Sequence, residues 1–372
     1  MTSSGSVLVA GFVLRLALFA TSIPALLEKR PELSTPLTSV RSLKEGQFIF
    51  AQGSDPYAGG VFHHQSPLYL LLPAVPLVYA LADAVAAATL CRIAKERKAL
   101  VAAVGLMRSY LFNPYALLSC LARSTTTIDN AVLLAAIGAA GPLGGAMLAV
   151  ASHLSLYPVL LVAPFAVRSR WSLLAFAVSF LCMTALNTVI FGHSWMRASW
   201  GVILTVSDLT PNVGMWWYFF TEMFEHFRSF FLGVFQLHNV IYVVPLCLRL
   251  EPHIAILVLV GVFSTWKSYP TLGDAAAWAG LLSCYPDVVQ NLRHPLFTLT
   301  VYLYTFILLP LLHSLWLLTG TGNANFFYAA TMVHGLNSSL AVVDVMGAAL
   351  RRDVKNKAKV LGEGESVQFT RA

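Results

Sequence analysis

Apolar runs long enough to cross a lipid bilayer succeed one another along the chain, at 66–90, 172–192, 296–318 and 326–349. A backbone immersed in lipid must satisfy its own hydrogen bonds, which leaves only helices or a closed barrel. Each run reads as a helix, because none alternates polar and apolar residues with a period of two. At about 20 apolar residues per crossing, 372 residues with short loops accommodate about 10–12 spans. Only 11% of the residues are charged and 57% are hydrophobic, whereas a soluble domain carries charge on about a quarter of its residues. The expected fold is therefore all-α, a polytopic membrane helix bundle. It forms a single membrane domain over 1–350, with a polar loop at 28–64 and a basic tail at 351–372.

The net charge of +7 does not point to nucleic acid, because the basic residues gather in short loops. They lie at Arg92, Lys95, Arg97 and Lys98, at Arg168 and Arg170, and from Arg351 through Lys359. Short loops rich in Lys and Arg stay in the cytosol, and the last cluster also suits anionic membrane lipids. The alternation of spans then places 28–64 and the loop 320–325 on the opposite, lumenal face. The run 7–27 carries Arg15 and no small-residue cleavage site, so it reads as a retained first helix. Five cysteines without a close pair read as small core residues.

Segments 129–141, 143–154 and 156–167 are each too short for a hydrocarbon core of about 30 Å. They are interrupted at Gly141-Pro142, Gly144-Gly145 and Tyr157-Pro158, and read as partial spans. Broken helices are tolerated where backbone is buried in protein or lines a cavity.

Ionisable side chains inside apolar runs are expensive and are candidate sites by default. Here they are Arg15, Asp83, Asp129, Glu222, Glu225, His226, Lys267 and Asp344. Structural ion pairs are the plainer reading for each. Glu222, Glu225 and His226 would share one face of a helix at spacings of three and four. That face suits a metal or acid–base site, or an interfacial helix among Trp and Tyr. No H-E-x-x-H or second ligand cluster accompanies it, so neither a metal nor a cofactor is expected.

Asn323 and Asn325 precede Phe326, Phe327 and Tyr328 at the mouth of the last helix. Amides donate and accept hydrogen bonds and rings offer apolar faces, which suits a sugar or phosphosugar headgroup. The same residues also read as a helix start, with Asn325 as N-cap, set in an aromatic belt. The 28–64 loop carries Glu28, Glu32, Glu45 and Asp55 but no D-x-D, E-E-D or H-D-E triplet of the kind a membrane glycosyltransferase would use. No Ser-His-Asp or Cys-His signature stands out either.

Several unusual stretches run nearly end to end. They include Pro56-Tyr-Ala-Gly-Gly-Val-Phe-His63, Leu111-Phe-Asn-Pro-Tyr115, Ser155-Leu-Tyr-Pro158 and Asp208-Leu-Thr-Pro-Asn212. Glu222-Met-Phe-Glu-His-Phe227, Lys267-Ser-Tyr-Pro-Thr271 and Asn323-Ala-Asn-Phe-Phe-Tyr-Ala329 complete the set. With them the chain resembles the PIG-U family, the polytopic subunit of the glycosylphosphatidylinositol (GPI) transamidase complex. A shorter segment around 95–108 is its main departure from the animal-type pattern.

The resemblance implies a multi-pass protein of the endoplasmic reticulum membrane. Its expected partners are a caspase-like subunit that holds the catalytic cysteine, the accessory subunits, membrane lipids and the GPI glycolipid. It further implies kinship with multi-span GPI mannosyltransferases, minus their acidic loop motif. The expected role is non-catalytic: to recognise GPI through Asn323, Asn325, Phe326, Phe327 and Tyr328 and present it to proprotein C-termini. Glu222, Glu225 and His226 are secondary candidates. The alternative is an active membrane mannosyltransferase using a polyprenyl-phosphate sugar.

Overall fold

Proline and glycine set where the helices of this chain begin and end. In the computed structural model, residues 4–97, 107 and 109–361 are described; Lys98, part of the expected third helix and the end of the basic tail lie outside them. All regular structure among these residues is helical. The principal helices, in chain order, are α1 (Ser4–Phe19), α2 (Val40–Ala51), α3 (Pro76–Glu96), α4 (Pro114–Leu121), α5 (Thr126–Gly138), α6 (Gly141–Leu154) and α7 (Arg170–Phe191). After them come α8 (Trp216–Glu222), α9 (Glu225–Val240), α10 (Pro252–Trp266), α11 (Leu272–Ser283), α12 (Pro295–Leu317) and α13 (Ala324–Leu361).

Among the described residues, five stretches are long and apolar enough to cross a membrane: Pro76–Glu96, Arg170–Phe191, Glu225–Arg249, Pro295–Leu317 and Ala324–Asn356. The chain is thus a multi-pass membrane protein, with shorter apolar helices filling the space between. Two boundaries differ from the sequence expectation. The first helix stops at Phe19 and a separate turn of helix follows at Ile23–Leu27, because Pro24 has no N–H to continue the ladder. The second begins at Pro76 rather than 66: Pro67 opens a 3-10 turn, and Pro73 and Pro76 deny helical hydrogen bonds to the stretch between.

At the centre stands α10, whose residues 254–265 are all buried. A helix apolar on every side has no lipid-facing or water-facing stripe, so it must be surrounded by protein. It packs against α11, α13 and α9. Leu174, Val189, Phe230, Leu237, Leu299 and Ile307 on α7, α9 and α12 are exposed, as lipid-facing side chains would be. The partial spans α5 and α6 are about 20 Å long and lie against α3 and α7. The α6–α7 approach depends on Gly145: a Cβ there would sit 2.0 Å from the carbonyl oxygen of Ser172. Ser172 Oγ in turn donates to Gly141 O at 2.7 Å.

The 28–64 loop is itself folded. Within it α2 starts at Ser39, whose Oγ accepts from Arg41 N, and packs on the turn Pro67–Leu71. Leu43, Tyr57, Phe62, Tyr69 and Trp195 form a separate apolar core there. His64 is sealed in that core, with Nε2–H donating to Ser39 O at 3.0 Å and Nδ1 left without a partner. Burial pushes its pKa down from 6.5 to about 4. The unfolded chain therefore binds the extra proton between those values, and stability is lost as pH falls from 6.5 toward 4, by up to ~3 kcal/mol. The thermal unfolding midpoint of the detergent-purified chain should drop between pH 7 and pH 5, and His64→Gln should flatten that drop. An unchanged slope in the variant would mean that the imidazole is not the group titrating.

Candidate functional site

The expected amide and aromatic residues come together where α8, α12 and α13 meet. Asn323 accepts the N–H of Phe326 at 3.2 Å, so it caps α13 in place of Asn325. The reason is geometric: Ala324 is already the first helical residue, and a cap side chain reaches the N–H three positions on. Asn325 Oδ1 accepts instead from the Tyr218 hydroxyl on α8. Both amide NH2 groups are exposed and unpartnered among the described residues. The Tyr328 ring packs at a tilt on Tyr218, 4.7 Å between centroids, and its hydroxyl donates to Met215 O at 3.1 Å. Phe326 is 53% exposed, whereas Phe327 is buried between His313, at 5.2 Å, and Trp217, at 6.0 Å. Phe327 supports this mouth from behind, Phe326 faces outward, and Tyr328 is half-buried against α8.

Beside the mouth lies a polar cleft of about 580 Å³, bounded by 28–45, 208–211 and His313. His313 touches Phe327, so cleft and mouth share a wall. Arg30 pairs with Glu32 at 2.8 Å and also donates to Ser314, tying the loop to α12. Arg123 closes on Glu28. Lys29 and Arg41 line the cleft without an ion-pair partner among the described residues, and so do the carboxylates of Glu45 and Asp208, so the cleft offers groups of both signs. The cleft leaves only a faint trace in the sequence, the charged run Glu28-Lys-Arg-Pro-Glu32, which is indistinguishable in one dimension from a solvated loop.

Glu222, Glu225 and His226 do not share a helix face. The chain turns at Met223 and Phe224, both extended, so Glu222 ends α8 and Glu225 begins α9. Packing forces the break: Phe219 and Phe231 approach to 5.2 Å, whereas twelve residues of continuous helix would hold them about 18 Å apart. All three ionisable side chains are exposed. Among the described residues no three His, Cys, Asp or Glu side chains group as a metal site would require.

Of the charged residues expected inside the bundle, Arg15, Asp83, Lys267 and Asp344 form ion pairs, whereas Asp129 takes a hydrogen bond instead. Arg15 meets Asp83 at 2.6 Å, with Tyr110 on the second carboxylate oxygen. Lys267 meets Asp274 at 2.7 Å, and that carboxylate also completes the capping box of α11 with Thr271. Asp129 accepts from Tyr69. Asp129, Lys267 and Asp274 enclose a void of about 10 Å³, room for no more than one water. Asp344 accepts from the backbone N–H groups of Arg293 and His294 and from Arg351 at 3.0 Å. Cys91, Cys120 and Cys284 are buried, while Cys182 and Cys247 lie on outer helices.

The family model described as GPI transamidase subunit PIG-U matches residues 9–334, spanning the bundle, the polar cleft and the Asn323–Tyr328 mouth. The chain belongs to the PIG-U family. The mouse GPI-anchor transamidase component PIGU is 33% identical to it, with 93% of each chain covered. The GPI transamidase component GAB1 of Saccharomyces cerevisiae is 34% identical, over 90% of this chain and 91% of the yeast protein. The human PIGU component is 32% identical over 93% of each. Membership extends over the mouth and the folded loop alike, so both belong to the common PIG-U body.

Proposed function

We propose that this PIG-U family chain is a subunit of GPI transamidase in the endoplasmic reticulum membrane that receives the GPI lipid and presents it for transfer to proprotein C-termini. One observation carries the reading: two free amide NH2 groups, on Asn323 and Asn325, stand at an aromatic mouth that adjoins a cleft where Lys29 and Arg41 stand beside Glu45 and Asp208. A GPI headgroup is a phosphate-bearing glycan. Amides bond its hydroxyl and phosphate oxygens, the cations hold further phosphate, and Phe326 and Tyr328 flank the passage to the bilayer.

On this reading the mouth faces the lumen and the basic end of α13 faces the cytosol, in keeping with the excess of Arg and Lys there. Acyl transfer falls to another subunit, the caspase-like one. No cysteine lines the cleft, and of its acidic residues Glu28, Glu45 and Asp208 the first is tied up by Arg123. Glu222, Glu225 and His226, exposed on either side of the Met223 turn, are suited to docking a neighbouring subunit.

The test is the double substitution Asn323→Ala and Asn325→Ala in the assembled complex. Two hydrogen bonds to a phosphorylated ligand, at about 1.5 kcal/mol each, predict roughly hundredfold weaker GPI retention. Unprocessed proprotein should accumulate while the subunits still co-purify. Undiminished GPI retention by an intact complex would remove the amides from the site.

A further inference from the structure

At the end of the bundle remote from Asn323, a second cavity of about 380 Å³ opens between α4, α11, α12 and α13. On α12 it runs from Pro295 to Phe306, about 16 Å of helix and close to the depth of one leaflet. Its lining is almost wholly apolar because the polar atoms in its walls are already used. Trp278 Nε1 donates to Leu257 O at 3.1 Å, Tyr115 OH to Tyr302 O at 3.1 Å, and Tyr302 OH to Ser338 at 2.9 Å. Leu299 and Leu303, more than half exposed, form a lip open to the bilayer.

Charge gathers at the outer end of the cavity. Asp344 lines it, yet its carboxylate is taken up by the Arg293 and His294 N–H groups and by Arg351. Arg352 is balanced by Asp287 and Asp353. Arg293, flanked by the lining residues Leu292 and Pro295, is exposed and has no acidic partner among the described residues. Lys355 bonds only the neutral Asn291 side chain, at 2.6 Å.

The geometry points to a binding site for one anionic glycerophospholipid, with an acyl chain in the α11–α12–α13 groove and the phosphate on Arg293, supported by Lys355. The cations at its rim favour a phosphate-bearing occupant over an apolar transmembrane helix. The site is also separate from the mouth: Asn325 and Asp344 are nineteen residues apart on one helix, about 28 Å, the thickness of the hydrocarbon core. A lipid whose headgroup sits at Asn325 belongs to the other leaflet.

The experiment uses the full chain purified in mild detergent with equal phosphatidylserine and phosphatidylcholine, read by native mass spectrometry. One phosphatidylserine should remain bound per chain. Arg293→Glu should lower its retention about tenfold, and Ala279→Trp, which fills the groove, should abolish it. Asn323→Ala with Asn325→Ala should leave it unchanged. Phosphatidylserine brominated on its acyl chains should quench wild-type fluorescence by an increment that disappears in Trp278→Phe. Equal retention of both lipids, wild-type retention by Arg293→Glu, or quenching indifferent to Trp278 would each overturn the site. So would cross-linking of a partner's transmembrane helix to a photoreactive group at Leu299 in the whole complex.

Discussion

Asp83→Leu is expected to leave almost no folded chain in detergent. Arg15 is fully buried on α1, with Nε donating to Asp83 at 2.7 Å, Nη2 in ion contact at 2.6 Å and Nη1 on Gly11 O at 3.1 Å. Removing the carboxylate strands a guanidinium that cannot shed its proton. Breaking one side of a buried ion pair costs about 3–5 kcal/mol, a large part of the 5–15 kcal/mol that typically holds a domain folded. The double substitution Arg15→Met with Asp83→Leu removes both charges and should restore most of the stability, since apolar replacements of buried pairs are often neutral or better. Fluorescence-detected gel filtration after a heating series reads both results. If the single variant were as stable as the double, the pair would not hold α1 to α3.

Gly145→Val should be the second most damaging change. The Cβ would meet the Ser172 carbonyl oxygen at 2.0 Å, and a backbone atom in α7 cannot rotate aside as a side chain does. Core overpacking usually costs about 1–3 kcal/mol, and a clash with backbone belongs at the upper end, about 3 kcal/mol. Small residues permit this kind of close helix approach in membranes. Ser172→Ala, which loses only the bond to Gly141 O, should cost about 1 kcal/mol. The two variants therefore separate the close approach from the hydrogen bond when their unfolding midpoints are compared. Equal losses would place the cost in the hydrogen bond instead.

Sequence carried the helices well wherever a single physical rule governed them. Four of the long spans followed from apolar length, and α5 and α6 from Gly141-Pro142, whereas Glu225–Arg249 was hidden within an aromatic-rich run. The pairing of intramembrane charges was legible in kind, because burying an isolated charge is so costly, but the partners were not: Arg15 finds Asp83 across 68 positions. The break at Met223 escaped because nothing local requires it. It is imposed by Phe219 folding back on Phe231 and Phe235, a long-range packing choice that helix periodicity cannot encode. The candidate mouth was legible as a cluster of residue types on one stretch. Its division of labour was not, since which asparagine caps and which reaches Tyr218 depends on where α13 starts relative to α8. The cleft beside it draws on segments nearly 300 residues apart and has no signature in any one of them.

The unbroken course of α13 has a mechanical consequence. Its 38 residues make a rod about 57 Å long, nearly twice the hydrocarbon thickness. Near its midpoint Val342 packs so closely on Gly261 of α10 that a Cβ on the glycine would lie 2.7 Å away. Bonds to α12 and its N-terminal cap through Asn337, Ser338 and Asp344 anchor the rod on both sides of that contact, so the length beyond the hydrocarbon core carries the basic end out into water.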